Sequence, residues 1–438
     1  MVFATNWFSK TAKAQEGAAS TKVADGMYLV NLVDTQLNLL STPIYSYQTS
    51  VPFMINNIQY FKYKQLLRYE VIDNAQTINA GAALVSDYLW CWGRDDQGGL
   101  GNNTTTNTSS PVSVFGNNLF SQVVTQNQDN PSTQFRAALD FNGLAWTWGL
   151  NSSGQLGNGT TTNMSSPVSV IGGYQFCTIG TGDALMLSAL DLSGNAWTWG
   201  YNYNGELGNN NSGGSANTSS PVAVAGGLNF VAIRGNTAID ISNNVWAWGL
   251  NNNGQVGDGT TTNRSVPVLM QGFPGSGRYT TNIARGQSFA VMMTNKGICY
   301  TVGANNYGQL GDGTTTNRSS PVAMIAGTNK FVQIACGAFH ALGLDTYGTV
   351  WTWGNNTYGQ LGNNTNNSSS SPVSIFSNNK YVMIGASANT SVAVDADGYI
   401  WSWGNGVYGI LGNNNTIDCS SPVSVLGGYR SRLQKIYY

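Results

Sequence analysis

Apolar and polar residues alternate along this chain in short runs, and the runs come in sets of four. One set reads Phe176-Cys177-Thr178-Ile179, Ala184-Leu185-Met186-Leu187, Ala196-Trp197-Thr198-Trp199 and Pro221-Val222-Ala223-Val224. Side chains two apart on a strand share a face, so a period of two predicts strands. The Gly, Asn and Ser clusters between runs, such as Leu192-Ser193-Gly194-Asn195, predict tight turns.

The sets recur. Trp-Gly steps begin at Trp92, Trp148, Trp199, Trp248, Trp353 and Trp403, with Val302-Gly303 as a variant, which makes seven copies roughly fifty residues apart. Each is followed by a G-x-x-G turn, from Gly98 to Gly101 in the first copy and from Gly409 to Gly412 in the last, and then by a proline, from Pro111 to Pro422. A fixed period of that length means a solenoid, an array or a propeller, and four strands per unit is the make-up of a propeller blade.

Only Trp7 of the 13 tryptophans lies outside a Trp-x-Trp pair. Each pair should therefore put two large rings on one side of its blade, with a small residue such as Thr147, Thr198 or Ala247 on the other. Stacked blades could then nest the bulky side of one against the small side of the next. Glycine supplies the positive φ that the rim turn needs. Proline opening the fourth strand fits an edge, where no ladder N–H is missed.

The fullest copy runs Ile334-Ala335-Cys336-Gly337-Ala338-Phe339-His340-Ala341-Leu342, then Asp345 to Val350, Trp353-Gly354-Asn355, Tyr358-Gly359-Gln360-Leu361-Gly362 and Pro372-Val373. This unit resembles the repeat of the regulator of chromosome condensation family, over about residue 71 to the C-terminus. The resemblance implies a seven-bladed propeller. WD and kelch repeats fit less well, lacking a recurrent Gly-His…Trp-Asp or paired-glycine strand here. The expected fold is all-β: a seven-bladed β-propeller of four-stranded blades over residues 71–438, with an N-terminal non-repeat extension, residues 1–70. The resemblance says little of activity, because one fold hosts many.

Charge changes the picture. Charged residues are 9% of the 438 and the net charge is -1, against about 25% charged in an ordinary soluble domain. No basic tract or stripe is present, so the electrostatic footprint of a nucleic-acid binder is missing. Asn, Thr, Ser and Gly are read as supplying the polar surface instead.

Residues 1–70 carry no copy of the repeat. Leu29 to Leu40 and Val51 to Leu67 are apolar enough to be ordered, Pro43 and Pro52 argue against one continuous helix, and the segment is read as an anchoring or docking piece. The opening residues lack the pattern of a secretory signal, and no apolar run is long enough to span a bilayer. The first copy is abbreviated, offering Ala75…Ile78 where later ones have Phe230…Ile233 or Tyr381…Ile384. At the far end Leu433-Gln434-Lys435-Ile436 opens a strand that has no continuation. The ring is therefore expected to close by pairing its two ends, leaving no exposed edge.

Candidate chemistry is sparse. His340 is the single histidine and reads as a structural residue, with no nucleophile spaced to use it. Cys91, Cys177, Cys299, Cys336 and Cys419 are odd in number and contain no C-x-x-C, so neither a zinc site nor a disulfide framework is expected; Cys177 and Cys336 read as small buried hydrophobes. Gly257-Asp258-Gly259-Thr260 and Gly311-Asp312-Gly313-Thr314 resemble calcium loops, but Asn158, Asn209, Asn363 and Asn413 stand at the same place elsewhere, which favours a turn. Tyr201, Tyr203, Tyr307, Tyr358 and Tyr408 near the rim glycines read as rim packing rather than a stacking platform. Sequons such as Asn151-Ser152-Ser153 and Asn263-Arg264-Ser265 are what so Asn-rich a chain yields by chance. No catalytic, cofactor or metal residue is assigned, and no residue is assigned to binding.

The expected function is a non-enzymatic structural or interaction protein, an outward-facing component of a virus particle such as a phage. An uncharged Asn/Thr/Ser/Gly surface, unpaired thiols and the lack of an export signal are all met by a virion protein made in the cytoplasm. Its partners would be other virion or assembly subunits through residues 1–70, and a host surface glycan or protein, without nucleic acid or membrane insertion. The alternative is an intracellular binding platform or guanine-nucleotide exchange factor, as some members of the resembled family look like. A glycan-cleaving enzyme would need clustered Asp and Glu in rim loops, and the loops here are Asn, Thr and Gly.

Overall fold

Each Trp-x-Trp run forms the third strand of a four-stranded antiparallel sheet. Seven such sheets follow one another, at residues 78–113, 120–169, 176–223, 230–269, 280–323, 331–374 and 381–424, and are numbered here blades 1 to 7. This computed structural model describes residues 89–426 with their side chains, apart from 117, 127–133, 183, 273–279, 326 and 328–329; before residue 89 it describes strands alone. Blade 3 shows the pattern: Phe176–Thr181, Met186–Asp191, Ala196–Gly200 and Thr218–Ala223, paired in chain order. The first strands of successive blades run against one another, and that of blade 7 meets that of blade 1, so the array is a closed β-propeller. Blade 1 is the abbreviated one, its first strand being only Ile78–Asn79.

Alternating strand direction sorts the connections. The loops between first and second strands and between third and fourth strands lie on one side of the ring, here the loop face. The turns between second and third strands and the junctions from blade to blade lie on the other, the junction face.

What joins the blades is the second tryptophan of each pair. Trp199 is fully buried and its Nε1 donates to the carbonyl of Gln155, inside the G-x-x-G turn of the preceding blade, at 3.0 Å. The same bond links Trp148 to Gly99, Trp248 to Glu206, Trp353 to Gln309 and Trp403 to Gln360, and Trp92 to Ile410 closes the circle. The indole sits so close that a Cβ on Gly157, whose φ is +63°, would lie 2.7 Å from Trp199 Nε1. That glycine is required twice, for its backbone and for its missing side chain. The small residue of the pair is not the seat expected for the next blade's rings. Thr198 is spent within its own blade, its Oγ1 donating to the Leu207 carbonyl at 2.7 Å.

A second staple counts the blades. Asn103, Gly159, Asn210, Gly259, Gly313, Asn364 and Asn414, all at positive φ, donate their backbone N–H to Ser165, Ser219, Ser265, Ser319, Ser370, Ser420 and, back in blade 1, Ser109. Only Gly and Asn take that conformation cheaply, which explains their exchange at this position. The expected pairing of chain ends through Leu433 to Ile436 lies outside the described residues. Within them, blade 7 is held to blade 1 by the Asn414 and Trp92 bonds and by the Arg94 guanidinium over the Tyr408 ring at 4.7 Å.

Blade 5 lacks the tryptophan, and the structure fills its place. The Gln255 carbonyl, left without an indole, accepts from Arg285 Nη1 at 3.2 Å. Met270 lies against Gly257, where a Cβ would be 2.6 Å from its Cγ, as Met324 lies against Gly311; in this seam no indole shares the contact, whereas at Gly311 Trp353 does.

The chain divides into two compact units, Met1–Ile72 with Leu433–Tyr438, and Asp73–Arg432. In the first, Ser20–Ala24, Met27–Val33 and Leu39–Tyr47 form a three-stranded antiparallel sheet with Asn31 opposite Pro43. The segment expected not to form one continuous helix thus contains strands.

Two substitutions test this account. Gly157→Ala should cost about 3 kcal/mol, combining left-handed strain with overpacking against Trp199, whereas Gly227→Ala, at φ +60° with nothing within 4 Å, should cost about 1–2; urea unfolding compares them, and equal losses would refute the tryptophan seat. Restoring the repeat pattern with Val302→Trp should destabilise by about 1–3 kcal/mol, because Met270 and Arg285 already occupy the seam; a raised unfolding midpoint would contradict this.

Candidate functional site

On the loop face one buried asparagine holds the loop between third and fourth strands in five of the seven blades. Asn151 Oδ1 accepts the Leu156 N–H at 2.9 Å, and its Nδ2 donates to the carbonyls of Thr160 and Thr162, each at 3.0 Å. Asn202, Asn251, Asn305 and Asn356 repeat the first of these bonds, and Asp95 does so in blade 1. Blade 7 has Gly406 there, whose N–H goes to Asp418 Oδ1 at 2.8 Å. Part of the Asn content read as surface is therefore internal scaffold. Asn151, the sequon asparagine, is fully buried.

The Gly-Asp-Gly-Thr sequences are turns. Asp258 Oδ1 accepts from the Thr260 N–H and hydroxyl, and Oδ2 is paired with Arg264. Burial pushes this carboxyl up, but the Thr260 and Arg264 bonds outweigh it and hold it below the usual range; Asp312 with Thr314 and Arg318 behaves alike. Both carboxylates are engaged, which leaves the turn reading in place.

The rim tyrosines pack on neighbours. Tyr203 stacks on Tyr201 with ring centroids 6.5 Å apart, Tyr307 lies 5.6 Å from Phe339, and Tyr408 lies under Arg94. Tyr358 contributes its backbone N–H to Gln360 Oε1. All five cysteines are free; Cys91, Cys299 and Cys336 are buried, and burial pushes the Cys91 thiol up to about 11. Cys177 and Cys419 are only half-buried, so Cys177 is less enclosed than expected.

His340 opens the second strand of blade 6, at the register held by Phe135 and Phe289 in blades 2 and 5. It is fully buried, with Nε2 2.9 Å from Ser391 Oγ. Because that hydroxyl donates to the Gln360 carbonyl at 2.8 Å, Nε2 is the donor to Ser391, and Nδ1 is left without a partner. The serine proton is committed and the pair is sealed from solvent, so it is not a nucleophile with its base. Among the described residues no three His, Cys, Asp or Glu side chains gather as a metal site.

The junction face is built differently. Its turns are held by aspartates: Asp345 Oδ1 accepts the N–H groups of Tyr347 and Thr349, and Oδ2 takes Trp351 Nε1 at 2.9 Å. Asp140, Asp191, Asp240 and Asp395 hold the first tryptophan of their own pairs in the same way. In these turns and in the links that follow the fourth strands lie most of the large hydrophobic side chains that stay exposed among the described residues: Phe141, Ile241 and Tyr347 in the former, and in the latter Phe115, Ile325 and Phe376, whose backbone N–H groups go to glycine carbonyls of the G-x-x-G turns. A shallow pocket of about 210 Å³ opens beside Leu89, Val114, Phe115 and Phe120, where blade 1 passes to blade 2. Such a surface offers non-covalent contact. Sequence reasoning missed it, although a signal was there: Phe115, Ile171, Ile325, Phe376 and Leu426 recur two residues past the fourth strand.

A closed ring of blades sealed by tryptophan into glycine turns is the architecture of a repeat β-propeller. The Regulator of chromosome condensation (RCC1) repeat matches at residues 142–184, 242–293, 296–344, 347–394 and 397–437, together more than half of the chain, and the chain belongs to that family. The family repeat is staggered against the blade: residues 296–344 take the last two strands of blade 5 and the first two of blade 6. The chain is similar to the Ultraviolet-B receptor UVR8 of Arabidopsis thaliana, 27% identical over 304 residues that cover 67% of each chain. It is 28% identical over 295 residues to the E3 ubiquitin-protein ligase HERC2 of Homo sapiens, covering 66% of this chain and only 5% of that protein. Among solved structures, human WBSCR16 superimposes with a TM-score of 0.69 at 19% identity, covering 78% of this chain and 94% of that one. Prp20p of Saccharomyces cerevisiae gives 0.65 at 19% identity, covering 83% and 89%. These two likenesses speak for the fold alone.

Burial lowers the His340 pKa from 6.5 to about 3. The folded value is the lower one, so the neutral ring's contribution is intact above pH 6.5 and is lost as pH falls towards 3, by up to about 1.4 kcal/mol per pH unit. In His340→Phe that component of the slope should disappear between pH 6.5 and 4, as read from unfolding midpoints; an unchanged slope would show that the ring titrates normally.

Proposed function

We propose that this protein is a non-enzymatic protein-binding platform that works through its junction face. The observation that carries the reading is the unequal sharing of exposed apolar side chains, few on the Asn/Thr loop face and many on the junction face. Contiguous exposed apolar surface held on a rigid mount marks sites of protein contact. Relatives of this fold support it: yeast RCC1 (Prp20) has been solved with Kap60 bound to it, and Prp20p is described with its binding to Gsp1p and histones. Guanine-nucleotide exchange is the narrower form, tested by nucleotide release from a small GTPase. Residues 1–70, outside the repeat array, stay in this reading as a separate attachment segment. The virion expectation gains no support from the relatives, and the buried asparagines weaken its premise of an all-surface polar composition.

Photo-crosslinking side chains placed at Phe141 and Phe376 on the junction face, and at Thr161 and Thr315 on the loop face, test the platform in an extract of the source cells. Protein adducts should form from the first pair and not the second. Adducts from neither pair, or from the loop face alone, would overturn the reading.

A further inference from the structure

Few positive charges on the described propeller are unspent. Arg94, Arg264 and Arg318 on the loop face pair with Asp96, Asp258 and Asp312. Arg136, Arg234 and Arg285 are buried and donate to backbone carbonyls. The lysines among the described residues are Lys296, Lys330 and Lys380; all three are exposed, and their ammonium groups make no ion pair or hydrogen bond to a described residue. All three stand on the junction face of blades 5 to 7.

They form one path. Lys296 lies in the turn of blade 5, beside Gly297, where an added Cβ would be 3.2 Å from that of Lys330. The Lys330 carbonyl accepts the N–H of Thr346, the neighbour of Tyr347, in the turn of blade 6. Gly348 follows, where a Cβ would be 3.4 Å from that of Lys380. The Lys380 carbonyl in turn accepts the N–H of Ala396, beside exposed Asp397, the first unburied acid on the path and its natural end. Asp345 and Asp395 are buried, their carboxylates taken by turn N–H groups and by Trp351 and Trp401.

Apolar groups alternate with these cations at the blade interval. Ile325 stands at the junction from blade 5 to blade 6 and Phe376 at the next, each five or four residues before its lysine, and Tyr347 lies between them. Tyr347 is 80% exposed and Phe376 67%. We infer that this arc is the docking surface for an acidic segment of a partner protein, its carboxylates meeting Lys296, Lys330 and Lys380 and its apolar side chains lying against Ile325, Tyr347 and Phe376. The inference rests on the platform reading and gives it a partner chemistry. Charge complementarity selects the acidic occupant. The three cations among the described residues are fewer than the stripes or clusters of four to eight that nucleic-acid tracks and polybasic lipid sites use, and the exposed aromatics call for apolar partners between the charges.

The test uses the full chain and a fluorescent peptide in which Glu and Asp alternate with Leu and Phe. Binding should be saturable, should weaken with added salt, and should fall by about tenfold or more in the triple variant Lys296→Glu, Lys330→Glu, Lys380→Glu. The loop-face triple Thr161→Glu, Thr261→Glu, Thr315→Glu should bind as the parent does, and unfolding midpoints confirm that both variants fold. Absence of peptide binding, equal binding of a Glu-only peptide, or tighter binding of anionic vesicles or an oligonucleotide would each overturn the assignment. Should the lysine variant keep full peptide affinity while protein adducts still form at Phe141 and Phe376, the arc is wrong and the platform stands; without any adducts from the parent, the platform itself is wrong.

Discussion

One contact organises this molecule: an indole N–H reaching into the glycine turn of the blade before it. The bond is neutral and single, so its net worth is only about 1 kcal/mol. Its importance lies in what surrounds it. A ring as large as Trp199 is fully buried only because the turn beneath has no side chain at Gly157, and each such burial removes a large apolar area from water. Indole and glycine are each other's precondition. This is why the Trp-Gly step and the G-x-x-G turn recur together along the chain.

Around that contact the polar groups are spent inward. Asparagines on the loop face and aspartates on the junction face tie down their own loops. Rigidity at both rims follows, and rigidity suits a surface that binds without reshaping. The faces then differ through residues the scaffold does not use: threonines on one, large apolar groups and lysines on the other.

The ring was legible in the sequence because its cause is periodic. Six Trp-Gly steps with the Val302-Gly303 variant, the paired glycines and the fourth-strand prolines all carry steric requirements that repeat with the blade, and the closed seven-membered array follows from them. Less was legible where the same residue type serves two ends. Asparagine reads as solvent-facing, yet Asn151 and its counterparts are buried, because only geometry shows that a loop has folded over them. Thr198 reads as a small surface for a neighbour, whereas its hydroxyl makes it a clasp within its own blade. The junction-face arc escaped notice because Lys330 and Lys380 are each unremarkable alone; only the closeness of turn to strand across two seams brings them into line with Lys296. The compensation at Val302 was equally hidden, since Arg285 lies on another strand and Met270 just past the last strand of the preceding blade.

The stagger between repeat and blade has a consequence for how such a ring can change size. A unit such as residues 296–344 spans a seam rather than a sheet. Duplicating or losing one unit therefore splices two half-sheets of matching edge, leaving no torn edge behind. Among the described residues the covalent chain crosses every seam but one, and the exception, between the last blade and the first, is closed by the meeting of their first strands and by the Trp92, Arg94 and Asn414 contacts. The circumference can thus be edited one tile at a time, while the clasp that completes it must be rebuilt for each new count.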